Sequence, residues 1–155
     1  MFRVRSILYP TDFSSYSNQA YLHAVSMAEA AKAKLTIMHV APPDEAANSQ
    51  FWQEQLAQIK PGNPAIQAKH VFVIGDPATE IVRYALEHPI DRIVMGTHGR
   101  TGVERFLMGS VAERVLRDAP CSVLVVKLPR GHTHNPDSAQ IPIVQSPVAT
   151  GDSAD

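Results

Sequence analysis

Residues 91–113 read DRIVMGTHGRTGVERFLMGSVAE, which is an apolar run, a glycine-rich loop and a helix-forming segment in succession. Residues 91–95 are short and continuously apolar after the first two positions, which predicts a buried strand. Residues 110–113 have the spacing of a capping box, which predicts a helix with Ser110 as its N-cap. The segment therefore predicts a strand and a helix that are joined by a glycine-rich loop.

The glycine-rich loop combines several features of an anion-binding site. Glycine lacks a Cβ atom, so a ligand can approach the backbone closely at Gly96 and Gly99. The helix start at Gly109 and Ser110 presents free N–H groups and a partial positive charge. Turn formation and helix capping could explain the glycines and the serine separately, but their coincidence with Arg100 favours a phosphate site. The loop is neither a P-loop nor a dinucleotide-binding GxGxxG sequence.

Apolar runs and helix-forming segments alternate along the rest of the first 127 residues. Strands are predicted over residues 5–9, 34–40, 66–74, 91–95 and 121–127. Helices are predicted over residues 17–33 and 44–59, from residue 77 after the start signal Asp76-Pro77, and from residue 110. This alternation predicts an α/β fold with an open, parallel, five-stranded sheet and helices on both faces. Ligands of such sheets bind beyond the carboxyl ends of the strands.

Composition excludes several classes of protein. The 155 residues are 45% hydrophobic and 19% charged, with a formal net charge of −1, which argues against non-specific nucleic-acid binding. No apolar run approaches the roughly 20 residues of a membrane span. The single cysteine cannot form an internal disulfide. We therefore expect a soluble cytoplasmic protein without nucleic-acid or membrane partners.

The composition changes after Lys127, which predicts a domain boundary. Residues 128–155 contain four prolines and many small polar residues, and such a segment buries too little apolar surface to fold alone. We expect residues 1–127 to form the domain and residues 128–155 to form a flexible tail. Residues 141–144 could still dock on the domain or on a neighbouring molecule.

The spacing Gly96-x2-Gly99-x9-Gly109-Ser110 resembles the signature of the ATP-binding branch of the universal stress protein family. Residues 10–14 resemble the start of that family, and residues 112–116 and 119–126 resemble its end. The resemblance covers residues 1–127 in order. It implies a Rossmann-like five-stranded parallel sheet, an ATP pocket and a homodimer.

The resemblance also implies roles for individual residues at the nucleoside end of the pocket. Asp12 would face the adenosine, with Pro10 and Thr11 shaping the same wall. Val40 would offer backbone hydrogen bonds to adenine. Met95 and Gly96 would line the floor of the pocket.

At the phosphate end, the resemblance implies that backbone N–H groups hold the ribose and phosphates at Gly99, Arg100, Gly109, Ser110 and Val111. His98 could touch a phosphate or could be a water-exposed loop residue. The resemblance implies that a divalent ion, Mg or Mn, accompanies the phosphates. The sequence shows no carboxylate pair that must hold the ion, which suits Mg, since Mg often keeps several waters and binds phosphate oxygens. We expect no protein metal ligands and no catalytic residues.

Three residues have a second interpretation. Asp12 could cap the first helix, and this is compatible with a ligand role. His39 lies in an apolar strand and is expected to be a core or pocket-edge residue rather than a metal ligand. Cys121 is expected to be a buried, small apolar residue.

The strand predicted over residues 121–127 lies at an edge of the sheet in this topology. It is apolar and carries no proline or internal charge, so it could pair with its own copy across a two-fold axis. We therefore expect a homodimer through this strand.

Two functions of different class fit the sequence. The first is a stress-response regulatory protein that binds ATP with slow or no hydrolysis, since no general base or nucleophile is evident near the loop. The second is an enzyme that cleaves ATP or adenylates a partner, which would be expected to carry an SGGxDS-like loop after the first strand. A flavin carrier is a weaker third alternative.

Overall fold

A computed structural model describes residues 1–98 and 108–127 of the chain. The strands are β1 (Ser6–Pro10), β2 (Lys34–Ala41), β3 (Ala68–Ile74), β4 (Arg92–Gly96) and β5 (Ser122–Val126). The helices are α1 (Ser15–Ala31), a 3-10 helix (Pro43–Asn48), α2 (Ser49–Ala57), α3 (Pro77–Glu87) and α4 (Ser110–Asp118). The tail predicted over residues 128–155 lies outside the described residues, as do Gly99 and Arg100.

The five strands form one parallel sheet in the order β3-β2-β1-β4-β5. The predicted α/β fold is therefore confirmed, and β5 is an edge strand as expected. The chain moves outward from β1 to β3 and then crosses to β4 on the other side of β1. The direction of strand addition reverses between β1 and β4, and open α/β sheets bind ligands at this position.

Helices cover both faces of the sheet, as the sequence predicts. Alternate residues of each strand point to opposite faces. Tyr9 and Leu35 pack with α1 and α2 on one face, whereas Leu8 and Met38 pack with α3 and α4 on the other. The strands of the centre are buried on both sides, which explains their continuous apolar sequence.

The helix starts follow local capping chemistry. Ser14 is the N-cap of α1, and its Oγ accepts a hydrogen bond from the Ser17 N–H. Asp76 is the N-cap of α3 with Pro77 in the first helical position, which confirms the start signal read from the sequence. The segment predicted as one helix over residues 44–59 divides into the 3-10 helix and α2.

Two local predictions were wrong. The N-cap of α4 is Gly109 rather than Ser110, because Gly109 is extended (φ −71°, ψ 162°) and its carbonyl accepts from the Glu113 N–H. The serine is therefore the first helical residue, so no capping box forms. Cys121 is half-buried rather than buried, since it precedes an edge strand.

Within the described residues, no helix is both long and apolar enough to cross a membrane.

Candidate functional site

The described candidate residues lie at the carboxyl edge of the sheet. Pro10 ends β1, Thr11 and Asp12 follow it, and Val40 lies near the end of β2. Met95, Gly96 and His98 end or follow β4, and Gly109, Ser110 and Val111 begin α4. The ends of β1 and β4 flank the reversal of strand order, so the fold brings both halves of the predicted site to one edge.

The turn after β1 holds Asp12 at this edge. The Thr11 N–H donates to the Met38 carbonyl at 2.8 Å and extends the pairing of β1 with β2. The Oδ1 atom of Asp12 accepts from the Ser14 N–H at 3.0 Å, and the side chain is half-buried. Ser14, not Asp12, caps α1, so the aspartate orders the turn that precedes the helix.

Val40 and Met95 contribute buried apolar surface below the turn. Val40 is 7% exposed and Met95 is 6% exposed, and both belong to the core on the α3 and α4 face. Pro10 and Thr11 are also buried. These residues form the sheet edge on which a ligand would rest, and only the backbone and the half-buried Asp12 offer it polar groups from β1.

Gly96 is required by packing inside the protein. A Cβ atom at this position would lie 2.7 Å from the carbonyl carbon of Tyr16 and 2.8 Å from its oxygen. The missing side chain therefore lets the first turn of α1 approach the end of β4. The sequence pattern attributed the absence of Cβ to ligand access, whereas the structure shows a contact with a helix backbone.

His98 and Thr97 organise the exit from β4. The His98 ring lies 5.1 Å from the Tyr16 ring, and its Nδ1 is 3.2 Å from the Thr97 Oγ1. The buried Thr97 donates its N–H to the Val126 carbonyl and accepts the Gly109 N–H on its own carbonyl at 2.6 Å. Thr97 thus links the end of β4 to the end of β5 and to the N-cap of α4. No feature of the sequence distinguishes it from an ordinary loop threonine.

The first turn of α4 has open N–H groups. Gly109 donates its own N–H to the Thr97 carbonyl, so this amide is engaged within the protein in this structure. Helix geometry leaves the N–H groups of Ser110, Val111 and Ala112 without an intrahelical carbonyl. Among the described residues, no side-chain capping hydrogen bond is made at this helix start, since the N-cap Gly109 has no side chain. The Val111 side chain packs against the core, whereas Ser110 is exposed.

A polar contact links α4 to the start of α3. Arg114 donates to the Asp76 Oδ2 at 2.8 Å and to the Thr79 Oγ1 at 3.1 Å. Hydrogen bonds from Thr79, together with Arg114, hold the pKa of the Asp76 carboxyl below its usual value. Sequence reasoning missed this contact, because the two residues lie on different helices.

Two further features bear on ligand chemistry. Among residues 1–98 and 108–127, no cluster of three or more His, Cys, Asp or Glu residues could hold a metal ion.

A groove of about 590 Å³ lies at the amino ends of the strands and is lined by residues that include Arg5, Lys32, Lys34 and Gln67. It lies at the opposite edge from the predicted nucleotide site.

The family model described as the universal stress protein family matches residues 3–127. Universal stress protein MJ0531 of Methanocaldococcus jannaschii is 38% identical over 142 residues, covering 81% of this chain and 84% of that protein. The solved universal stress protein UspA from Lactobacillus plantarum is 30% identical with a TM-score of 0.70, covering 81% of this chain and 99% of that chain. A universal stress protein solved in complex with cAMP is 27% identical with a TM-score of 0.62, and the match covers 81% of this chain and 98% of that chain.

The matched residues include every strand and helix described above, and the solved relatives share the parallel sheet with its helices. The chain therefore belongs to the universal stress protein family.

Proposed function

We propose that this protein binds ATP at the carboxyl edge of the sheet and acts as a stress-response regulator with slow or no hydrolysis. The observation that carries the proposal is the start of α4, where the N-cap is a glycine and so offers no side-chain acceptor to the helix N–H groups. Such a helix end favours an anion such as a phosphate group. It lies beside the reversal of strand order, where nucleotides bind in open α/β sheets.

The turn after β1 suits the nucleoside end of the ligand. Asp12 offers a half-buried carboxylate that can accept hydrogen bonds from ribose hydroxyl groups, and Val40 offers backbone groups at the end of β2. The relative that was solved with cAMP shows that a member of this family can hold an adenine nucleotide. This supports an adenine nucleotide as the ligand of the present chain.

A divalent ion is proposed to bind through the phosphates. The described residues contain no carboxylate or histidine cluster for it, so the ion would rely on phosphate oxygens and water. This arrangement is typical of Mg, which keeps several water ligands and binds few carboxylates. The affinity for the nucleotide should then depend on the ion, whereas the protein without nucleotide should not bind the ion.

The choice between a regulator and an ATP-cleaving or adenylating enzyme rests on groups that could activate a nucleophile. Near α4, the Asp76 carboxylate is paired with Arg114 and accepts hydrogen bonds from Thr79. Asp12 orders its own turn through the Ser14 N–H. The pKa of the Asp76 carboxyl is lowered, whereas a general base would need a pKa raised toward neutrality, so slow turnover is favoured.

Calorimetric titrations of the full chain with ATP, ADP, AMP, cAMP and FMN, with and without Mg, test the proposal. We expect ATP to bind in the presence of Mg and to raise the melting temperature by mass action. Binding of FMN alone would contradict the proposed ligand. Product analysis after long incubation then separates the two classes of function, because many turnovers per minute would rule out a slow regulator.

Gly109→Asp tests the location of the phosphates. An aspartate at the N-cap accepts hydrogen bonds from the first-turn N–H groups and adds a negative charge, so it should stabilise α4 slightly while excluding the triphosphate. We expect ATP affinity to fall at least tenfold without a loss of stability. Gly62→Asp is the matched control, because it adds the same charge at an exposed position in the loop before β3, at the opposite edge. Equal ATP affinity in both variants would contradict the site.

We further propose that the protein is a cytoplasmic homodimer joined through β5. The edge strand is supported as an interface by its partly buried apolar residues Val123, Leu124 and Val125. Light scattering should give about twice the chain mass of 16.9 kDa. Val123→Lys should yield monomers, whereas Ala68→Lys on the opposite edge strand should not, and a wild-type monomer at every concentration would contradict the proposal.

A further inference from the structure

A buried hydrogen-bond network lies directly beneath Asp12. The Thr11 Oγ1 accepts from the Phe13 N–H at 3.0 Å and lies 2.8 Å from the Ser17 Oγ. The Tyr9 hydroxyl donates to the Ser17 carbonyl at 2.7 Å. Thr11 and Ser17 are 5% and 4% exposed, so the network ties the end of β1 to the first turn of α1 away from water.

His39 joins this network from the neighbouring strand. Its ring is 1% exposed, and its Nδ1 lies 2.7 Å from the Thr11 carbonyl oxygen. Since a carbonyl oxygen only accepts, Nδ1 carries the proton and donates it. The residue that follows His39 is Val40, whose backbone is proposed to bind adenine. This hydrogen bond therefore adds a buried side-chain link to the backbone pairing of β1 and β2, next to Asp12.

The other neighbour of Asp12 is held by aromatic packing. Phe13 has a φ of 65°, which a non-glycine residue rarely adopts. Its ring stacks on Trp52 at 5.3 Å with an interplanar angle of 13°, and it lies 4.7 Å from the His39 ring. The surrounding rings hold this unfavourable backbone conformation in place, and such conformations are common where a site is preorganised.

We propose that His39 is a positioning residue for nucleoside binding, a role that rests on the proposed function. Both neighbours of Asp12 are fixed from the interior, Thr11 by the imidazole and Phe13 by the aromatic rings. The Asp12 carboxylate is therefore held at a set position relative to β2 before the ligand arrives. His39 touches no ligand and acts through the Thr11 carbonyl.

The consequence of removing this donor should be confined to one end of the ligand. His39→Leu keeps an apolar side chain in the core but leaves the Thr11 carbonyl without its donor, so the turn can shift. We expect about tenfold weaker binding of ATP and AMP, which corresponds to about 1.4 kcal/mol. Binding of inorganic tripolyphosphate, which uses only the start of α4, should remain unchanged.

Two further variants separate positioning from general stability. In His39→Asn the amide NH₂ can occupy the place of Nδ1, so AMP affinity should return to within about threefold of wild type. His70→Leu is the control, because its Nε2 lies 2.7 Å from the Ile59 carbonyl oxygen and His70 lies on β3, outside the two strands that carry the proposed nucleoside site. It removes the same kind of hydrogen bond and should leave AMP affinity unchanged.

The measurement is calorimetric titration of each full-length variant with ATP, AMP and tripolyphosphate in the presence of Mg. If His39→Leu binds AMP as wild type does, or loses AMP and tripolyphosphate affinity equally, the positioning role is overturned while ATP binding by the wild type stands. If the wild type binds neither ATP nor AMP, the proposed function fails, and the positioning role fails with it.

The fluorescence of Trp52, the single tryptophan of the chain, reports whether each variant retains the packed cluster. If His39→Leu does not fold, His39→Met decides the question, because it also lacks a donor for the Thr11 carbonyl and its flexible side chain adapts to the core. We expect about tenfold weaker AMP binding and unchanged tripolyphosphate binding in this variant. Unchanged AMP affinity in folded His39→Met would overturn the role.

Discussion

Gly96→Ala should destabilise the protein because the added methyl group meets a helix backbone. The Cβ atom would lie 2.7 Å from the Tyr16 carbonyl carbon, and that contact must lengthen to at least 3.4 Å to become ordinary. The nearest atoms belong to the main chain of α1, so no side chain can rotate away. Overpacking of this kind costs about 1–3 kcal/mol in unfolding free energy.

A second effect acts in the opposite direction and is smaller. Alanine restricts the unfolded chain, which stabilises a protein by about 0.4–1 kcal/mol where the native backbone accepts it. The φ of Gly96 lies outside the left-handed region, so backbone strain adds nothing. The steric cost should prevail, and we expect a net loss of about 1–2 kcal/mol. For a chain of this size that loss corresponds to a fall in Tm of roughly 2–8 °C.

Urea denaturation followed by Trp52 fluorescence measures this change, because the residue is buried in the core beside α1. Gly62→Ala is the matched control, since no atom lies within 4 Å of its Cβ position. That variant should be unchanged or slightly stabilised by the entropy of the unfolded chain. Equal free energies of unfolding for Gly96→Ala and wild type would show that α1 does not depend on the missing side chain.

Three further predictions concern buried and surface polar groups. Tyr9→Phe should lower the free energy of unfolding by about 1–2 kcal/mol in the same urea assay, because it removes the buried hydrogen bond to the Ser17 carbonyl. Tyr21→Phe should be neutral or stabilising, because the Tyr21 hydroxyl is buried with no hydrogen-bond partner among the described residues. Asp76→Ala should cost about 1 kcal/mol at pH 7 through loss of the α3 cap. The pKa of Asp76 is lower in the folded state than in the unfolded state, where it is about 3.9. The stabilisation by Asp76 is therefore present above the unfolded pKa and is lost as pH falls through the folded pKa. The free energies of unfolding of Asp76→Ala and wild type should then converge in acid. Cys121 should react with thiol reagents more slowly than glutathione at pH 7 and faster as pH rises, because burial raises the pKa of its thiol; rapid reaction at pH 7 would contradict this.

The order of elements could be predicted from the sequence because each element carries a local signal. Continuous apolar runs indicate strands that are buried on both faces, and Asp76-Pro77 marks a helix start by its own chemistry. Parallel strands then place their carboxyl ends together, so the positions of Asp12 and Gly109 follow from topology. Boundaries were less accurate, because Ser110 fits a cap and a first helical position equally well.

The residues that support the site could not be predicted in the same way. The hydrogen bonds from His39 to Thr11 and from Arg114 to Asp76 join residues 28 and 38 positions apart. Such contacts depend on the register between strands and on the packing of two helices, and neither leaves a periodic pattern in the sequence. His39 was correctly placed in the core, but its partner appears only once β1 and β2 are aligned.

Gly96 and Gly109 of the glycine-rich segment serve different physical needs, one in the packing of the fold and the other in the proposed binding of an anion. At Gly96 the neighbouring helix backbone leaves no room for a Cβ atom, so the requirement comes from packing. At Gly109 the backbone is extended at φ −71° and ψ 162°, a conformation open to any residue, so the glycine is not needed for conformation. Serine or aspartate at this N-cap would satisfy a first-turn N–H group with its own side chain. Glycine supplies no side-chain acceptor to those donors, which lie at the edge where the strand order reverses, and this supports an anionic ligand there.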